Sequence, residues 1–319
     1  MTYREAGVDL AGADRHVTAI ASAVTATWTD NVIGGFGGFA AGVTIPPGYS
    51  NPVLMMSTDG VGTKLELARQ SEMWDGVGFD LVAMCVDDLA AVGARPLGFV
   101  DYMAVGSLQP DRDTRIVESI ARACVAAGCA LLGGETAEHP GVMDPDAVDL
   151  AGAVMGVVEK GEQLGSEGVV PGDAIVGLHS PNLRSNGFSL VRRVMGDAPD
   201  YATLLEPSVI YSPAVLSVSP MVKSAAHITG GGLPGNLPRA VPASLGVEVD
   251  ASSWRPPEIF STLQNCGIGE AEMFATFNMG IGFCLIVEPS AADEITDSLS
   301  RHEANVIGRV TDSAGFTLK

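Results

Sequence analysis

Positive charge is scarce in this chain. Lysine and arginine together number 18 among 319 residues, against 38 aspartates and glutamates, for a formal net charge of −20. No basic stripe is present to displace the counterions of a nucleic acid, which argues against a polymeric nucleic-acid partner. A phosphorylated small molecule remains compatible, because a few placed cations and backbone amides suffice for it. No apolar run reaches the roughly eighteen residues of a membrane span. The start, MTYREAGVDLAGADRH, lacks the basic-then-apolar order of a signal peptide. A soluble cytoplasmic protein is expected. The five cysteines, Cys85, Cys124, Cys129, Cys266 and Cys284, form no CxxC pair, and buried reduced thiols are expected of them.

Several catalytic signatures are also missing. There is no GxxxxGK[ST] and no GxGxxG, which argues against a P-loop or Rossmann site. GxSxG is absent, the five histidines (His16, His139, His179, His227, His302) are scattered, and no His/Cys spacing suits zinc. What remains is carboxylates, glycine-rich turns and a few cations. That is the equipment of Mg²⁺-dependent phosphoryl transfer, in which catalysis is positioning and charge neutralisation.

With 46% apolar residues and a mean hydropathy of +0.26, the chain is a folded globular protein of a length that suits two domains. The stretch that organises it is STDGVGTK, Ser57–Lys64, which follows an apolar strand over 52–56. Glycines Gly60 and Gly62 let backbone N–H groups approach phosphate oxygens, Lys64 supplies charge, and Asp59 can hold a divalent cation. An ordinary Asp-Gly turn uses the same residues, and for the octet alone both readings stand. Two further glycine clusters are Gly34, Gly35, Gly37 and Gly38 in GGFGG, read as a mobile loop, and Gly133–Gly134 in GGET.

Strand and helix signals alternate along the chain, which predicts an α/β (α+β) layer architecture. Helices are expected over 14–28, 80–92, 111–128, 213–224, 257–266 and 291–302. Strands are expected over 97–104, 130–133, 149–158, 174–179, 246–250 and 282–288. On the 80–92 helix, Asp80 and Asp87 share one side and Asp88 lies about 100° further round. Such carboxylates are either solvated or bound to a cation. The polar, Gly-rich segment 159–173 marks the boundary between domains 1–165 and 166–319. In the second half, Ser185-Asn186-Gly187 precedes an apolar-periodic helix, and AHITGGG (226–232) runs a strand into three glycines.

Eight blocks occur in one order: YREAGVD (3–9), GGFGGF (34–39), STDGVGTK (57–64), GFDLVAMCVDDL (78–89), LLGGETAEHPG (131–141), SNGFSLVR (185–192), HITGGGLPGNLPR (227–239) and TFNMGIG (276–282). In these the chain resembles the phosphoribosylformylglycinamidine cyclo-ligases, the AIR synthetases of purine biosynthesis, over nearly its whole length. The resemblance implies ATP-dependent closure of formylglycinamidine ribonucleotide (FGAM) to aminoimidazole ribonucleotide. It also implies a fold shared with selenophosphate synthetase and thiamine-monophosphate kinase, and a homodimer that pairs N-terminal sheets with ATP near that interface. By the same resemblance Asp59, Asp88 and Glu135 would coordinate Mg²⁺–ATP, with Asp80 and Asp87 as weaker candidates. Lys64, with Gly60, Gly62 and Thr63, would meet the phosphates, and Gly34, Gly35, Gly37 and Gly38 would cover the triphosphate. Ser185 and Asn186 would hold the ribose phosphate, and Thr229, Gly230, Gly231 and Gly232 would contribute to the substrate end. His227 is either an acid/base or a structural hydrogen-bonding histidine; His139 is a loop residue.

The chain departs from the family pattern at Arg184, where a histidine is usual, at Arg4, where a lysine is usual, and in a shorter 193–206 segment. Another ATP-dependent enzyme of the superfamily and a nucleotide-binding protein without turnover are the alternative readings. No cysteine lies in residues 31–41, where a selenophosphate synthetase would need one.

Overall fold

The computed structural model describes residues 9–196 and 199–319. Of the block at residues 3–9, all but Asp9 lies outside the described residues, Arg4 included. The chain divides into two compact units. The first holds residues up to 89, then 95–160 and 205–210; the second holds 90–94, 161–204 and 211–319. The main crossing thus falls at 160/161, and two short segments belong to the unit opposite their chain neighbours.

The first unit contains α1 (Leu10–Thr25), β1 (Val32–Ile33), β2 (Gly42–Val43), β3 (Pro52–Gly60), α2 (Lys64–Ser71), α3 (Val77–Ala91), β4 (Arg95–Val105), α4 (Pro110–Ala127), β5 (Ala130–Glu138) and β6 (Val148–Glu159). Its main sheet has the order β3-β6-β4-β5, antiparallel except for the β4–β5 pair that α4 connects. One row of this sheet runs Asp59, Gly152, Asp101, Gly134 and faces the helices. A side chain at Gly152 would strike Phe99 and Leu81 of α3. Gly78 of α3 meets α4 backbone to backbone, because a Cβ there would overlap Ile120 N. Its N–H donates to Ser119 Oγ at 3.1 Å. α1 packs on α4 and β5. The turn after α1 is pinned to β5 by Trp28 Nε1 donating to Leu131 O (2.8 Å) and Leu131 N donating to Thr27 Oγ1 (2.8 Å).

The opposite face of the sheet carries no helix signature in its burial. Leu54 is 51% exposed and Met56 73%, and Val100 and Tyr102 of β4 are also exposed. Across the ladders Leu54, Met56, Val100 and Tyr102 stand opposite Val157, Met155, Ala153 and Ala151 of β6.

The second unit comprises β7 (Ala174–His179), α5 (Phe188–Val194), α6 (Tyr201–Leu204), α7 (Ser212–Val218), β8 (Val222–His227), α8 (Gly232–Asn236), β9 (Gly246–Val249), α9 (Glu258–Asn265), α10 (Glu270–Thr276), β10 (Ile281–Val287), α11 (Ala292–Ser298), β11 (Asn305–Thr311) and β12 (Gly315–Leu318). Its six-stranded sheet has the order β12-β9-β11-β7-β10-β8, and only β12–β9 is parallel. β10 reads IGFCLIV and is buried at every position, with β7 and β8 on its two sides. Ile175, Cys284, Ile286, Val247 and Ile307 pack with Leu233 and Leu237 in the core on one face.

The expected mixed α/β architecture is present, with two local corrections. The helix expected over 213–224 stops at Val218, because Pro220 in the following turn cannot donate a helical hydrogen bond. Residues 222–224 instead open β8 against β10. The strand expected over 130–133 continues to Glu138, because its ladder with β4 runs through the glycine pair to Val105. Cysteines 85, 124, 129 and 284 are buried and unbonded as expected, whereas Cys266 is exposed.

The tightest polar knot lies in the first unit. Lys64 is 1% exposed, and its ammonium meets Asp80 Oδ2 at 2.8 Å and donates to Glu206 O at 3.0 Å. Asp80 Oδ1 also accepts from Ser208 N (3.0 Å) and Ser208 Oγ (2.5 Å). Lys64→Met leaves a buried carboxylate uncompensated and is expected to destabilise the first unit by about 3–5 kcal/mol. Urea unfolding checks this: the midpoint should drop for Lys64→Met and largely recover in Lys64→Met/Asp80→Leu.

Candidate active site

β3 delivers Asp59 to the helix-covered face of the first sheet, where Asp59 Oδ1 accepts from the next N–H, Gly60, at 2.7 Å. Asp88 of α3 reaches the same face and accepts from Ser57 Oγ at 3.1 Å. Cys85 sits beside both carboxylates, and burial, then their negative charge, pushes its thiol far up, so it is no nucleophile. Gly62 has φ +68°, a left-handed conformation suited to glycine, and nothing stands within 4 Å of its absent Cβ. Thr63 follows and opens α2. Lys64, expected on phosphate, has its ammonium enclosed by Asp80 and Glu206. Asp80 and Asp87 are fully buried, so neither is a solvated carboxylate.

Glu135 is not with Asp59 and Asp88. Asp59 and Gly134 occupy one cross-sheet row, separated by three strand spacings, or roughly 14 Å. Glu135 lies one residue further along β5, in register with Tyr102 and on the opposite face. Metal–oxygen bonds are only about 2.0–2.6 Å, so the three carboxylates expected as one ligand set cannot share an ion within this chain. Among the described residues no three His, Cys, Asp or Glu side chains gather as a metal site. The Asp59/Asp88 pair still fits Mg²⁺, which is usually held by one or two carboxylates with phosphates and waters completing its shell.

Glu135 belongs instead to a cavity of about 610 Å³ enclosed by α1, the glycine loop 35–41 and β5. Gly35 and Gly37 face open space at their Cβ positions, and Gly37 has φ +83°. Asp101 enters from β4 over Gly134, where any Cβ would overlap its Oδ1. His16 enters from α1, 4% exposed, with Nε2 3.4 Å from Thr136 Oγ1. Burial lowers the His16 pKa below its ordinary value, with Asp113 opposing that shift. Burial pushes the Asp101 carboxyl up to about 7. Neither His16 nor Asp101 stood out in the sequence, since one lies in a helical stretch and the other in an apolar strand.

In the second unit, β8 ends at His227, which is buried and stacks on Phe283 with centroids 6.0 Å apart. The triple-glycine loop follows. Gly232 (φ +57°) packs so closely that a Cβ would overlap Phe274 O. Asn236 holds this loop by donating to the carbonyls of Thr229 (3.3 Å), Gly230 (3.1 Å) and Gly232 (2.9 Å), and Arg239 Nη1 donates to its Oδ1 at 3.1 Å. A Cβ on Gly230 would stand 3.4 Å from Asn186 Oδ1, so the Ser185-Asn186 turn and the glycine loop are neighbours. Asn186, Thr229 and the three glycines therefore lie together at one end of this unit. Asn236 and Arg239 were missed, although the G-N-L-P-R run after the glycines carried them.

Arg184 is 1% exposed with φ +58°. Its guanidinium lies 4.9 Å over the Tyr211 ring, and Nη1 donates to Gly282 O at 3.2 Å. Tyr211 OH in turn donates to His179 O at 2.7 Å. Where the family pattern has a histidine, this chain has a cation buried against an aromatic ring and the start of β10.

Two glycine-rich loops and a carboxylate pair stand on α/β scaffolds, and a cavity of small-molecule size lies beside the first loop. Family models for the AIR synthase related proteins match both parts, the N-terminal domain over residues 39–158 and the C-terminal domain over 170–319. A phosphoribosylformylglycinamidine cyclo-ligase of Prochlorococcus marinus (strain MIT 9313) is 46% identical over 99% of this chain and 97% of its own length. One of Thermoanaerobacter pseudethanolicus is 42% identical over 99% of each chain. The chain belongs to the phosphoribosylformylglycinamidine cyclo-ligase family. Its fold is similar to that of thiamine-monophosphate kinase from Stenotrophomonas maltophilia K279a (TM-score 0.68, 20% identity, 98% and 97% of the two chains covered). It is likewise similar to E. coli HypE (TM-score 0.67, 17% identity, 96% and 92% covered).

Asp101 carries a pH prediction. Its folded pKa lies above the unfolded value, so the unfolded chain releases this proton first as pH rises. Stability from this group is full below about pH 4 and is lost as pH rises through about 7. Asp101→Asn should remove that slope. The variant's stability relative to wild type should grow between pH 4 and pH 7, by up to about 4 kcal/mol, in parallel denaturant titrations.

Proposed function

We propose that this protein catalyses the ATP-dependent closure of FGAM to aminoimidazole ribonucleotide, releasing ADP and phosphate. The observation that carries this reading is the 42–46% identity to cyclo-ligases over nearly the whole chain, together with a chain that keeps Asp59 and Asp88 on one face beside the Gly60–Gly62 turn. In the reaction the formyl oxygen of FGAM takes the γ-phosphoryl group and ADP leaves. The ribosyl-bearing amidine nitrogen then attacks the formyl carbon, the C–O bond breaks, and phosphate departs with the oxygen while the nitrogen loses its proton. A poor leaving group has become a good one.

Mg²⁺, held by Asp59 and Asp88, would screen the phosphate charge during transfer. Asp59 is the more exposed of the two, and Ser57 orients Asp88. The open backbone at Gly62 leaves N–H groups for phosphate oxygens, and Thr63 lies next to it. Lys64 contributes by holding Asp80, and through it the position of α3. In the second unit Asn186, Ser185, Thr229 and Gly230–Gly232, braced by Asn236, would take the ribose phosphate of FGAM. Buried His227 lines up behind that loop, and Arg184 braces the strand that follows. Free, unbonded cysteines suit the reducing cytoplasm.

The open apolar face of the first sheet supports a homodimer, since single exposed apolar residues are ordinary but an aligned sheet face of them is not. Met56→Asp should convert the dimer to monomer in sedimentation velocity without lowering the unfolding midpoint. A wild-type monomer at micromolar concentration contradicts the dimer.

The activity is tested by ADP release from Mg²⁺–ATP with and without FGAM. FGAM-dependent ADP with matching imidazole product is expected, and Asp59→Asn should lower kcat at least 100-fold, in the range of lost transition-state charge stabilisation. ATP binding without FGAM-dependent turnover would count against the cyclo-ligase, and phosphorylation of thiamine monophosphate would then establish the kinase alternative.

A further inference from the structure

Arg184 immediately precedes the Ser185-Asn186 turn, yet its own side chain runs into the interior of the second unit. It is buried, with its guanidinium 4.9 Å over the Tyr211 ring and Nη1 donating to Gly282 O at 3.2 Å. Tyr211 is itself fully enclosed, and its hydroxyl donates to His179 O at 2.7 Å. A Cβ on Gly282 would overlap that hydroxyl, so the ring, the cation and the start of β10 close on one another. A cation stacked on an aromatic face away from water is held more strongly than one at the surface. A group so enclosed does not reach a ligand. What it can do is hold the backbone that carries it.

That backbone is unusual. Arg184 has φ +58°, in the left-handed region, where an L side chain is strained and persists only when its surroundings over-determine it. Its N–H donates to Asn182 Oδ1 at 2.9 Å. Asn182 is buried and held in turn, its carbonyl accepting from Ser180 Oγ (2.9 Å) and Asn278 Nδ2 (3.0 Å). At the other end of the turn Gly187 (φ +80°) packs on Phe277 so closely that a Cβ would overlap the ring. Residues 184–187 are thus fixed at both ends. Between them Asn186 Oδ1 lies 3.4 Å from the Cβ position of Gly230 in the glycine loop. Backbone strain of this kind clusters at ligand clamps.

We propose that Arg184 is a positioning residue for the substrate: anchored on Tyr211 and Gly282, it sets the turn that aims Ser185 and Asn186 at the glycine loop. The inference rests on the reading of those residues as the ribose-phosphate side of an FGAM site. The ribose phosphate takes no part in the bond changes, so contacts to it act equally on bound substrate and transition state. Losing them raises KM for FGAM and leaves kcat in place.

Glycine is the informative replacement, because it adopts the left-handed backbone without strain and removes only the anchor. Kinetics with FGAM and Mg²⁺–ATP, and calorimetric binding of ribose 5-phosphate, are measured for wild type, Arg184→Gly, Arg184→Lys, Tyr211→Leu and the double variant Arg184→Gly/Tyr211→Leu. Arg184→Gly should raise KM for FGAM about tenfold and weaken ribose 5-phosphate as much, with KM for ATP and kcat changed less than about twofold. Arg184→Lys, which keeps a cation for the ring, should raise KM for FGAM about threefold. Tyr211→Leu should reproduce the loss, and the double variant should add nothing to it, since both changes remove one anchor. An unchanged KM for FGAM in Arg184→Gly overturns the inference. So does a rise in both KM values with a fall in kcat, which marks a merely structural role. If Arg184→Gly or Tyr211→Leu fails to fold, Arg184→Lys carries the decision by whether its KM rise is confined to FGAM. If wild type shows no FGAM-dependent turnover, the cyclo-ligase reading fails and ribose 5-phosphate decides the inference: weaker binding by Arg184→Gly than by wild type supports it, and equal binding, or none by either protein, overturns it.

Discussion

The first unit depends on the buried ion pair of Lys64 and Asp80. Lys64 opens α2, Asp80 lies in the first turn of α3, and Glu206 and Ser208 come from a segment far along the chain. Removing two charges from water is expensive, and their attraction repays it only when the remaining donors and acceptors are met. Here the Glu206 carbonyl and the Ser208 N–H and hydroxyl supply part of that set. The pair therefore does more than join α2 to α3: it requires the segment 205–210 to be in place before either charge is fully solvated by protein. With α3 held at its start, Asp88 near its end is brought to Ser57, and the Asp59–Asp88 face is set.

The second constraint is the strict alternation of a β-strand. Asp59 and Asp101 fall on the helix-covered face, and Glu135, one residue beyond Gly134, falls on the other. In a strongly acidic chain this separation keeps carboxylates from crowding one another. It also separates the carboxylate pair near the β3 edge from the cavity at the β5 edge, which no lysine or arginine lines among the described residues. In the second unit the same economy of charge appears as backbone work, with one amide side chain, Asn236, gathering three carbonyls of the glycine loop.

Much of the fold was legible in the residues. β10 announced itself as an unbroken apolar run, α3 by helical spacing of Leu81, Cys85 and Leu89, and the glycine-rich turns by composition. The eight ordered blocks located the family as well as the loops. The partners of Lys64 were not legible, because a lysine after Asp-Gly-x-Gly-x suggests phosphate, and nothing local shows a carboxylate sixteen residues on and a carbonyl at 206. Glu135 was grouped with Asp59 because motif order carries no strand register. His16, Asp101 and Asn236 each lie in stretches whose periodicity explained them fully as helix, strand and turn.

The sequence by itself determined the layer architecture, the places of the phosphate-suited turns and the family, because periodicity, glycine and motif order are local properties. Only the tertiary structure decided which carboxylates stand together and which cations are buried. Those depend on ladder register, on burial, and on contacts between residues far apart in the chain, such as Lys64 with Glu206 and His16 with Thr136.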